Sequence, residues 1–216
     1  MARLKVLDKT VRSAGAETKD RIISTAIDLF SGQGYAGVSI RDITKTVGIK
    51  ESSLYHHFVN KQELIETIYL YFKKELKSSL PGATPISPGI KPNEVYIKLQ
   101  AYLISLKKAL DRPLMRKIFR IISMERFRDR QAFEIMHYDI YDSIRLIHEE
   151  LFSSMLSSGL IKPLLEPRLL AQEYTYSLLG MFEDYNILKH YDKPTGEIEG
   201  LMFDYLKFFW ERAKFI

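Results

Sequence analysis

The sequence predicts an all-α protein made of two helical parts. Apolar residues recur every three or four positions through each long segment of the 216-residue chain, which is the period of an amphipathic helix. No segment shows the strict apolar–polar alternation of a half-buried strand. Four prolines and two glycines fall within residues 81–92, and proline interrupts regular backbone hydrogen bonding. We therefore predict a linker at 81–92 between a shorter and a longer helical part.

Before the linker, the sequence predicts helices at about 18–31, 39–48, 50–57 and 60–79. The first is followed by Gly32 and Gly34, which favour a helix end. The second begins at Ser39, because Ser39 and Asp42 have the spacing of a capping box. Gly48 ends it, since glycine adopts a left-handed turn without steric cost. These four helices form a predicted N-terminal domain at 17–80, preceded by a basic, flexible arm at 1–16.

After the linker, the predicted helices cover about 93–110, 113–125, 131–158, 166–190 and 196–214. Prolines and glycines separate them, and none of the segments has the period of a strand. These helices form a predicted second domain at 93–216. The charge is unevenly divided between the parts, since the first 80 residues hold 13 Lys and Arg against 9 Asp and Glu, whereas the remainder holds 19 against 18. An anionic partner for the first part is therefore favoured.

Composition excludes several classes of protein. The chain has no cysteine, so disulfides, thiolate metal sites and cysteine nucleophiles are excluded. No apolar run approaches the roughly 18–20 residues of a membrane span, and the basic N-terminal residues lack the apolar run of a signal peptide. We expect a cytoplasmic protein with no membrane association.

Residues 39–58 have the pattern of a helix-turn-helix: a two-turn helix, a turn at Gly48 and a second short helix. One set of residues is apolar and is predicted to face inward: Ile40, Ile43, Val47, Ile49, Leu54 and Phe58. The other face of the second helix carries small or hydrogen-bonding residues: Lys50, Glu51, Ser52, Ser53, Tyr55 and His56. A helix that enters the major groove of DNA must present such groups.

Residues 19–64 resemble the DNA-binding domain of TetR-family transcriptional repressors. The residues that carry the resemblance are Ala26-Ile27-Asp28-Leu29-Phe30, Gly34-Tyr35, Ser39-Ile40-Arg41-Asp42-Ile43, Val47-Gly48-Ile49, Leu54-Tyr55-His56-His57-Phe58 and Asn60-Lys61-Gln62-Glu63-Leu64. The rest of the chain resembles the family only in being a long helical domain. One departure is Lys50, because the family usually has Ser or Thr at the cap of the second helix.

The resemblance implies a homodimer that binds a palindromic operator in double-stranded DNA and releases it when a small molecule occupies the C-terminal domain. By matched position, the DNA-facing residues are Ser39, Arg41, Lys50, Ser52, Ser53, Tyr55, His56 and Lys61. Ser52 and Ser53 are short enough to approach base edges, whereas the expected phosphate contacts are Tyr55, His56 and Lys61. Arg41 has two possible partners, a guanine edge or a phosphate.

The C-terminal domain is rich in aromatic residues and Met, which are typical both of ligand pockets and of ordinary cores. The candidate effector-binding residues are Tyr96, Tyr102, Met115, Phe119, Phe127, His137, Tyr138 and Tyr141. The positions of His137, Tyr141 and His148 place them on one face of an uninterrupted helix. Because the domain is nearly neutral, an apolar or aromatic effector is favoured over a highly charged one.

The last predicted helix is apolar on most of its sides, so it is either the centre of the domain or shared with a second subunit. The resemblance places the dimer interface on the last two helices. The candidate interface residues are Leu178, Phe182, Tyr185, Met202, Leu206, Phe209 and Trp210.

An enzyme is not expected, and neither are catalytic residues, a metal site or a cofactor. Glu134 and His137 have the spacing found in di-iron bundles, but such sites need a second pair and further glutamates. The motifs of zinc proteases, phosphate-binding loops and serine hydrolases are absent from the sequence. An alternative function is that of an architectural or division-site DNA-binding protein without an effector. If an effector exists, we expect its signal to pass between the end of the helix at 60–79 and the helix at 113–125.

Overall fold

The structure, a computed structural model, describes residues 14–80 and 89–215. Within these ranges it is helical, without any strand. The α-helices are α1 (Ala14–Gln33), α2 (Ile40–Val47), α3 (Glu51–Tyr55), α4 (Lys61–Ser79), α5 (Pro92–Leu110), α6 (Pro113–Glu125), α7 (Arg130–Glu134), α8 (Ser143–Ser157), α9 (Pro167–His190) and α10 (Gly196–Ala213). The predicted all-α fold is confirmed. The arm up to residue 13 and the linker residues 81–88 lie outside the described residues.

The helix predicted at 131–158 contains a π-helical segment, Ile135–Asp142, between α7 and α8. A π-helix has more residues per turn than an α-helix, so side chains after the segment are rotated relative to those before it. His137 is exposed there, Tyr141 is half-buried, and His148 is completely buried in α8. The single helix face predicted for these three residues is therefore wrong, because it assumed one uninterrupted period.

The described residues form two compact units. Unit 1 contains the described residues up to Ser78 and the segment Asp111–Met136. Unit 2 contains the described residues within Ser79–Leu110 and within His137–Ile216. The helix α6 thus packs in unit 1 although it follows the linker in the chain. The domain bounds drawn from the sequence alone stay a prediction.

The core of unit 1 is continuous from the helix-turn-helix to α6. Its largest fully buried side chains include Phe30, Phe58, Tyr69 and Phe72. The helix α1 packs against both α2 and α6. On α6 the buried side chains are Met115, Ile118, Ile121 and Ile122.

Polar contacts also fasten α6 to α1 and α4 within unit 1. Lys117 of α6 pairs with Asp28 of α1 at 2.6 Å. Arg112, just before α6, pairs with Glu75 of α4 at 2.8 Å. At the other end of α6, the buried Glu125 carboxylate accepts a hydrogen bond of 3.0 Å from the backbone N–H of Tyr35. The two ends and the middle of α6 are therefore all held to the helices that carry the helix-turn-helix.

Unit 2 is built around α8, α9 and α10. The helix α8 packs along α9, and α10 packs against α9 and α5. All seven residues predicted for the dimer interface are buried in this core: Leu178, Phe182, Tyr185, Met202, Leu206, Phe209 and Trp210. Their place at a dimer interface stays a prediction. The apolar character of α10 on most of its sides is explained mainly by its central position in unit 2.

Candidate nucleic-acid interface

The helix α2 begins at a complete capping box. The hydroxyl of Ser39 accepts a hydrogen bond of 3.2 Å from the backbone N–H of Asp42, and the Asp42 carboxylate accepts one of 2.8 Å from the backbone N–H of Ser39. The Ser39 hydroxyl also donates to this carboxylate at 2.6 Å. These hydrogen bonds from Ser39 lower the pKa of the Asp42 carboxyl. The predicted capping box is confirmed, and it fixes where α2 starts.

The turn after α2 is set by Gly48 and by an arginine from α1. Gly48 has φ 78° and ψ 38°, the left-handed region that favours glycine. The guanidinium of Arg21 donates a hydrogen bond to the carbonyl of Val47, at the end of α2. Because helix ends leave carbonyls without partners inside the helix, this contact ties the end of α2 to α1.

The helix α3 presents a polar face above a single buried anchor. Leu54 is fully buried, as is Phe58 just after the helix. Lys50, Ser52 and His56 are exposed, and Ser53 is half-buried. Tyr55 is 51% exposed, so it is not part of the core. The cap residue Lys50 makes no side-chain hydrogen bond to the start of α3.

Lys61 is placed differently from the other predicted DNA-facing residues. Its ammonium donates to the carbonyl of Tyr35 at 2.9 Å and to that of Val38 at 2.8 Å. It also lies 4.1 Å from the centre of the Tyr35 ring. Two of its three N–H groups therefore hold the segment between α1 and α2 against the start of α4. Its predicted phosphate contact stays a prediction, beside this bracing role.

We expect Ser39→Ala to lower the free energy of unfolding of the chain by about 0.5–2 kcal/mol, since the first turn of α2 loses its cap. Urea denaturation followed by circular dichroism measures this. The matched control is Thr46→Ala on the same helix. The hydroxyl of Thr46 bonds back to the Asp42 carbonyl and caps nothing, so a change within about 0.5 kcal/mol is expected. Equal losses in the two variants would contradict a capping role for Ser39.

The predicted effector residues divide between the two units. Met115, Phe119 and Phe127 belong to unit 1, and the others belong to unit 2: Tyr96, Tyr102, His137, Tyr138 and Tyr141. Phe127 is 85% exposed and Tyr138 is 54% exposed, and their role in effector binding stays a prediction. Aromatic content alone did not distinguish surface positions from interior ones.

Sequence reasoning singled out His148 but missed its buried polar neighbours, Thr175 and Tyr174, in the interior of unit 2. His148 and Thr175 are both fully buried, and the His148 Nδ1 atom lies 2.7 Å from the Thr175 hydroxyl. Tyr174 is fully buried beside them. The available signal was that His148 falls among the apolar positions of α8, near Ile144, Leu151 and Phe152. Across the described ranges no group of three or more His, Asp or Glu side chains has the geometry to hold a metal ion, and no helix there is suited to crossing a bilayer.

In comparison with known proteins, residues 22–68 match the model of the family described as "Bacterial regulatory proteins, tetR family". Over 58 residues the chain is 48% identical to IcaR of Staphylococcus epidermidis, the "HTH-type negative transcriptional regulator" of the biofilm operon icaADBC. IcaR of Staphylococcus aureus strain Newman is 52% identical over 48 residues. These matches cover 25% and 22% of this chain, and they span 31% and 26% of the relatives' own lengths.

Solved structures match over most of the chain. A TetR transcriptional regulator from Chloroflexus aurantiacus has a TM-score of 0.69 at 20% identity, covering 94% of this chain and 98% of its own. SmeT, solved in complex with triclosan, has a TM-score of 0.59 at 19% identity, covering 88% and 90%. At such identities the likeness concerns the fold. The helix-turn-helix segment is therefore similar to that of tetR-family regulatory proteins, and the chain shares the fold of TetR-family regulators.

Proposed function

We propose that the chain is a transcriptional repressor that binds a palindromic operator as a homodimer and is released by a small-molecule effector. The observation that carries the proposal is the polar face of α3. It stands exposed on a helix anchored by Leu54, after an α2 that is capped at Ser39 and held by Arg21. This segment also lies within residues 22–68, which match the model of the tetR family of bacterial regulatory proteins.

The exposed residues of α2 and α3 suit different parts of DNA. Ser52 and Ser53 are short and let the helix approach the base edges, where a hydroxyl bonds to either donors or acceptors. Lys50, Tyr55 and His56 reach phosphates and fix the register of the helix. Arg41 is exposed on α2 and can fork onto guanine or bind a phosphate.

A dimer face is available on α9 and α10, outside the buried set. On α10 the exposed apolar side chains are Leu201 and Phe208, two turns apart. On α9 they include Tyr176 and Ile187. Between these lies Gly180, where an added Cβ would meet no atom within 4 Å, so another helix can approach closely. We propose that a second copy of the chain covers this face, by a two-fold contact of the same surface with itself.

An effector is proposed because a solved structure with this fold, SmeT, is in complex with triclosan. The coupling proposal rests on α6. It is joined to Asp28, to Glu75 through Arg112, and to the backbone of Tyr35. A displacement of α6 would therefore also move the helix-turn-helix. The ligand needs to favour the state that does not bind DNA by only about 1–3 kcal/mol.

The experiment that tests the function is the mapping of genomic DNA fragments bound by the full chain. Fragments that share an inverted repeat are expected, with half-sites about one DNA turn apart, ~34–36 Å. Recovery of fragments with no shared sequence would overturn a sequence-specific repressor. Recovery of a single half-site would overturn the palindromic operator alone.

Two lysines of the helix-turn-helix are expected to act differently. Lys50→Ala should reduce the salt slope of log K for the operator by about 1.8, as each of the two subunits loses one phosphate contact. Its effect on the free energy of unfolding should stay within about 0.5 kcal/mol, because the side chain is exposed. Lys61→Met should instead lower the free energy of unfolding by about 1–3 kcal/mol, as two backbone carbonyls lose their donor.

Affinity against salt concentration and urea denaturation, measured on both variants, separate these roles. If Lys61→Met leaves the free energy of unfolding unchanged but reduces the salt slope, Lys61 is a phosphate contact and the bracing role is wrong. If Lys50→Ala leaves the salt slope unchanged, Lys50 does not touch a phosphate.

A further inference from the structure

The core of unit 2 contains a cluster of hydrogen-bonding side chains from three helices, namely Tyr102 of α5, His148 of α8 and Tyr174 of α9. The centre of the His148 ring lies 5.4 Å from that of Tyr102 and 4.9 Å from that of Tyr174, both edge-on. His148 and Tyr174 are fully buried, and Tyr102 is 8% exposed. Phe152 and Phe209 pack against Tyr174. A polar centre is thus enclosed by aromatic rings.

Most of the polar atoms in this cluster are unsatisfied. The hydroxyls of Tyr102 and Tyr174 and the Nε2 atom of His148 are buried and have no hydrogen-bond partner among the described residues. The Nδ1 atom of His148 is satisfied by Thr175. Buried polar groups in proteins are nearly always paired, because an unpaired one costs free energy. Three such atoms in one cluster indicate a place prepared for a polar group that the chain itself does not supply.

An apolar layer with a small cavity lies one helical turn away from the cluster. The cavity has a volume of about 20 Å³ and is lined by residues of α5, α8, α9 and α10. Its lining includes Leu106, Ile144 and Leu178, each four residues from a member of the cluster on the same helix. Met202 and Phe182 complete the wall. The cavity admits no more than a group about the size of a water molecule, so a larger ligand must displace these flexible side chains.

The cluster favours an uncharged partner. Burial lowers the pKa of His148 to about 3 and raises the pKa values of Tyr102 and Tyr174, so all three are neutral near pH 7. The cationic side chain at the cavity, Lys107, is paired with Glu199 at 3.2 Å. An ion placed at the cluster would lose its hydration and gain no opposite charge.

The hydrogen-bonding roles in the cluster narrow the choice of polar group. A tyrosine hydroxyl both donates and accepts, whereas the Nε2 atom of His148 does one or the other, according to which nitrogen carries the proton. A ligand hydroxyl also does both, so it pairs with either form of His148. A carbonyl, which only accepts, pairs with one form alone.

We propose that Tyr102, His148 and Tyr174 bind the hydroxyl of an uncharged effector whose apolar body occupies the leucine-rich layer beside them. This proposal rests on the proposed function for the effector's role, but the binding itself is tested without DNA. The first measurement is the thermal unfolding midpoint of the full chain with 1-naphthol, naphthalene or 1-naphthoate. These probes share one skeleton but differ in their polar group. 1-Naphthol carries a hydroxyl, naphthalene carries none, and 1-naphthoate carries a charged carboxylate.

With 1-naphthol at ten times its dissociation constant, the midpoint should rise by about 3–6 °C. Naphthalene should give less than half of this shift, and 1-naphthoate should give none. Equal shifts with naphthalene and 1-naphthol would mean that the hydroxyl is not recognised, which overturns the proposal. A larger shift with 1-naphthoate, or no shift with any of the probes, would overturn it as well.

The second measurement uses Tyr102→Phe and Tyr174→Phe, which remove an unpaired hydroxyl and keep the ring. Without a probe, the midpoint should stay unchanged or rise, because a buried polar atom without a partner is removed. The affinity for 1-naphthol should fall about tenfold in each variant. The matched control is Tyr205→Phe. The Tyr205 ring stacks on Tyr174, but its hydroxyl already donates to the Glu173 carbonyl, so the affinity should not change.

A midpoint lowered by Tyr102→Phe or Tyr174→Phe without the probe would show that these hydroxyls support the fold, and the binding proposal would fail. The operator assay then separates this proposal from the proposed function. If 1-naphthol binds with the expected dependence on the variants but leaves operator affinity unchanged, the site stands and its role as an effector site is wrong. If DNA binding is specific but no probe binds, the repressor stands and the site is wrong.

Discussion

Phe208→Glu is expected to convert the protein from a dimer to a monomer and to reduce operator affinity by about 10²–10⁴-fold. Phe208 is 55% exposed on α10 and belongs to the apolar face proposed for the second copy. A carboxylate there would have to be buried without a partner when two copies meet. In a dimer, binding of one half-site holds the second DNA-binding segment near the other half-site at a high effective concentration. A monomer binds each half-site independently and loses this gain in affinity.

Sedimentation velocity and fluorescence anisotropy on the operator fragment measure the two effects of Phe208→Glu. The matched control is Ile97→Glu, which places the same charge on an exposed position of α5 and should leave a dimer with unchanged affinity. Leu206 and Phe209 are unsuitable for this test, because they are buried and a charge there would unfold unit 2. A Phe208→Glu variant that remains a dimer would show that this face of α10 is not the interface.

The double variant Arg41→Glu with Lys50→Glu is expected to lower operator affinity by at least about 100-fold at 0.1 M salt. Each phosphate contact contributes nearly one decade of affinity at that salt concentration through counterion release, and Lys50→Glu removes one in each of the two subunits. Arg41→Glu removes a further contact to guanine or phosphate in each subunit. Both side chains are exposed on the helix-turn-helix, with no role in the core. The free energy of unfolding should therefore change little.

The matched control for charge is Lys77→Glu with Lys74→Glu, two exposed positions near the end of α4. This pair changes the net charge by the same amount away from the helix-turn-helix. It should reduce affinity by less than about tenfold, since the Debye length at 0.1 M salt is only about 10 Å. Equal losses in the two double variants would show that net charge, and not contact by α2 and α3, determines DNA affinity.

The sequence by itself determined the helix-turn-helix. Ser39 and Asp42 are three residues apart, and Gly48 closes α2 by its own backbone conformation. Such interactions reach no farther than four residues along the chain, so their spacing can be read directly from the sequence. The polar face of α3 followed for the same reason, because Leu54 was its evident inward anchor.

The tertiary structure alone decided which faces of α10 are buried and where α6 belongs. A helix that is apolar on most of its sides gives only a weak periodic signal. Only packing against α5 and α9 shows that Leu206 lies inside and Phe208 outside. Likewise, Glu125 meets the backbone of Tyr35 across 90 residues of chain. A spacing pattern within one helix cannot predict a contact between residues so far apart in the sequence.

The cluster in unit 2 depended on the tertiary structure for the same reason. Tyr102, His148 and Tyr174 come from three helices, and the π-helical segment before α8 changes which side chains turn inward. A pattern based on one helical period cannot show where the chain changes to the wider turn of a π-helix. Local spacing fixed each helix and its caps, whereas the partners of a buried side chain were fixed by distant segments that meet only when the core is packed.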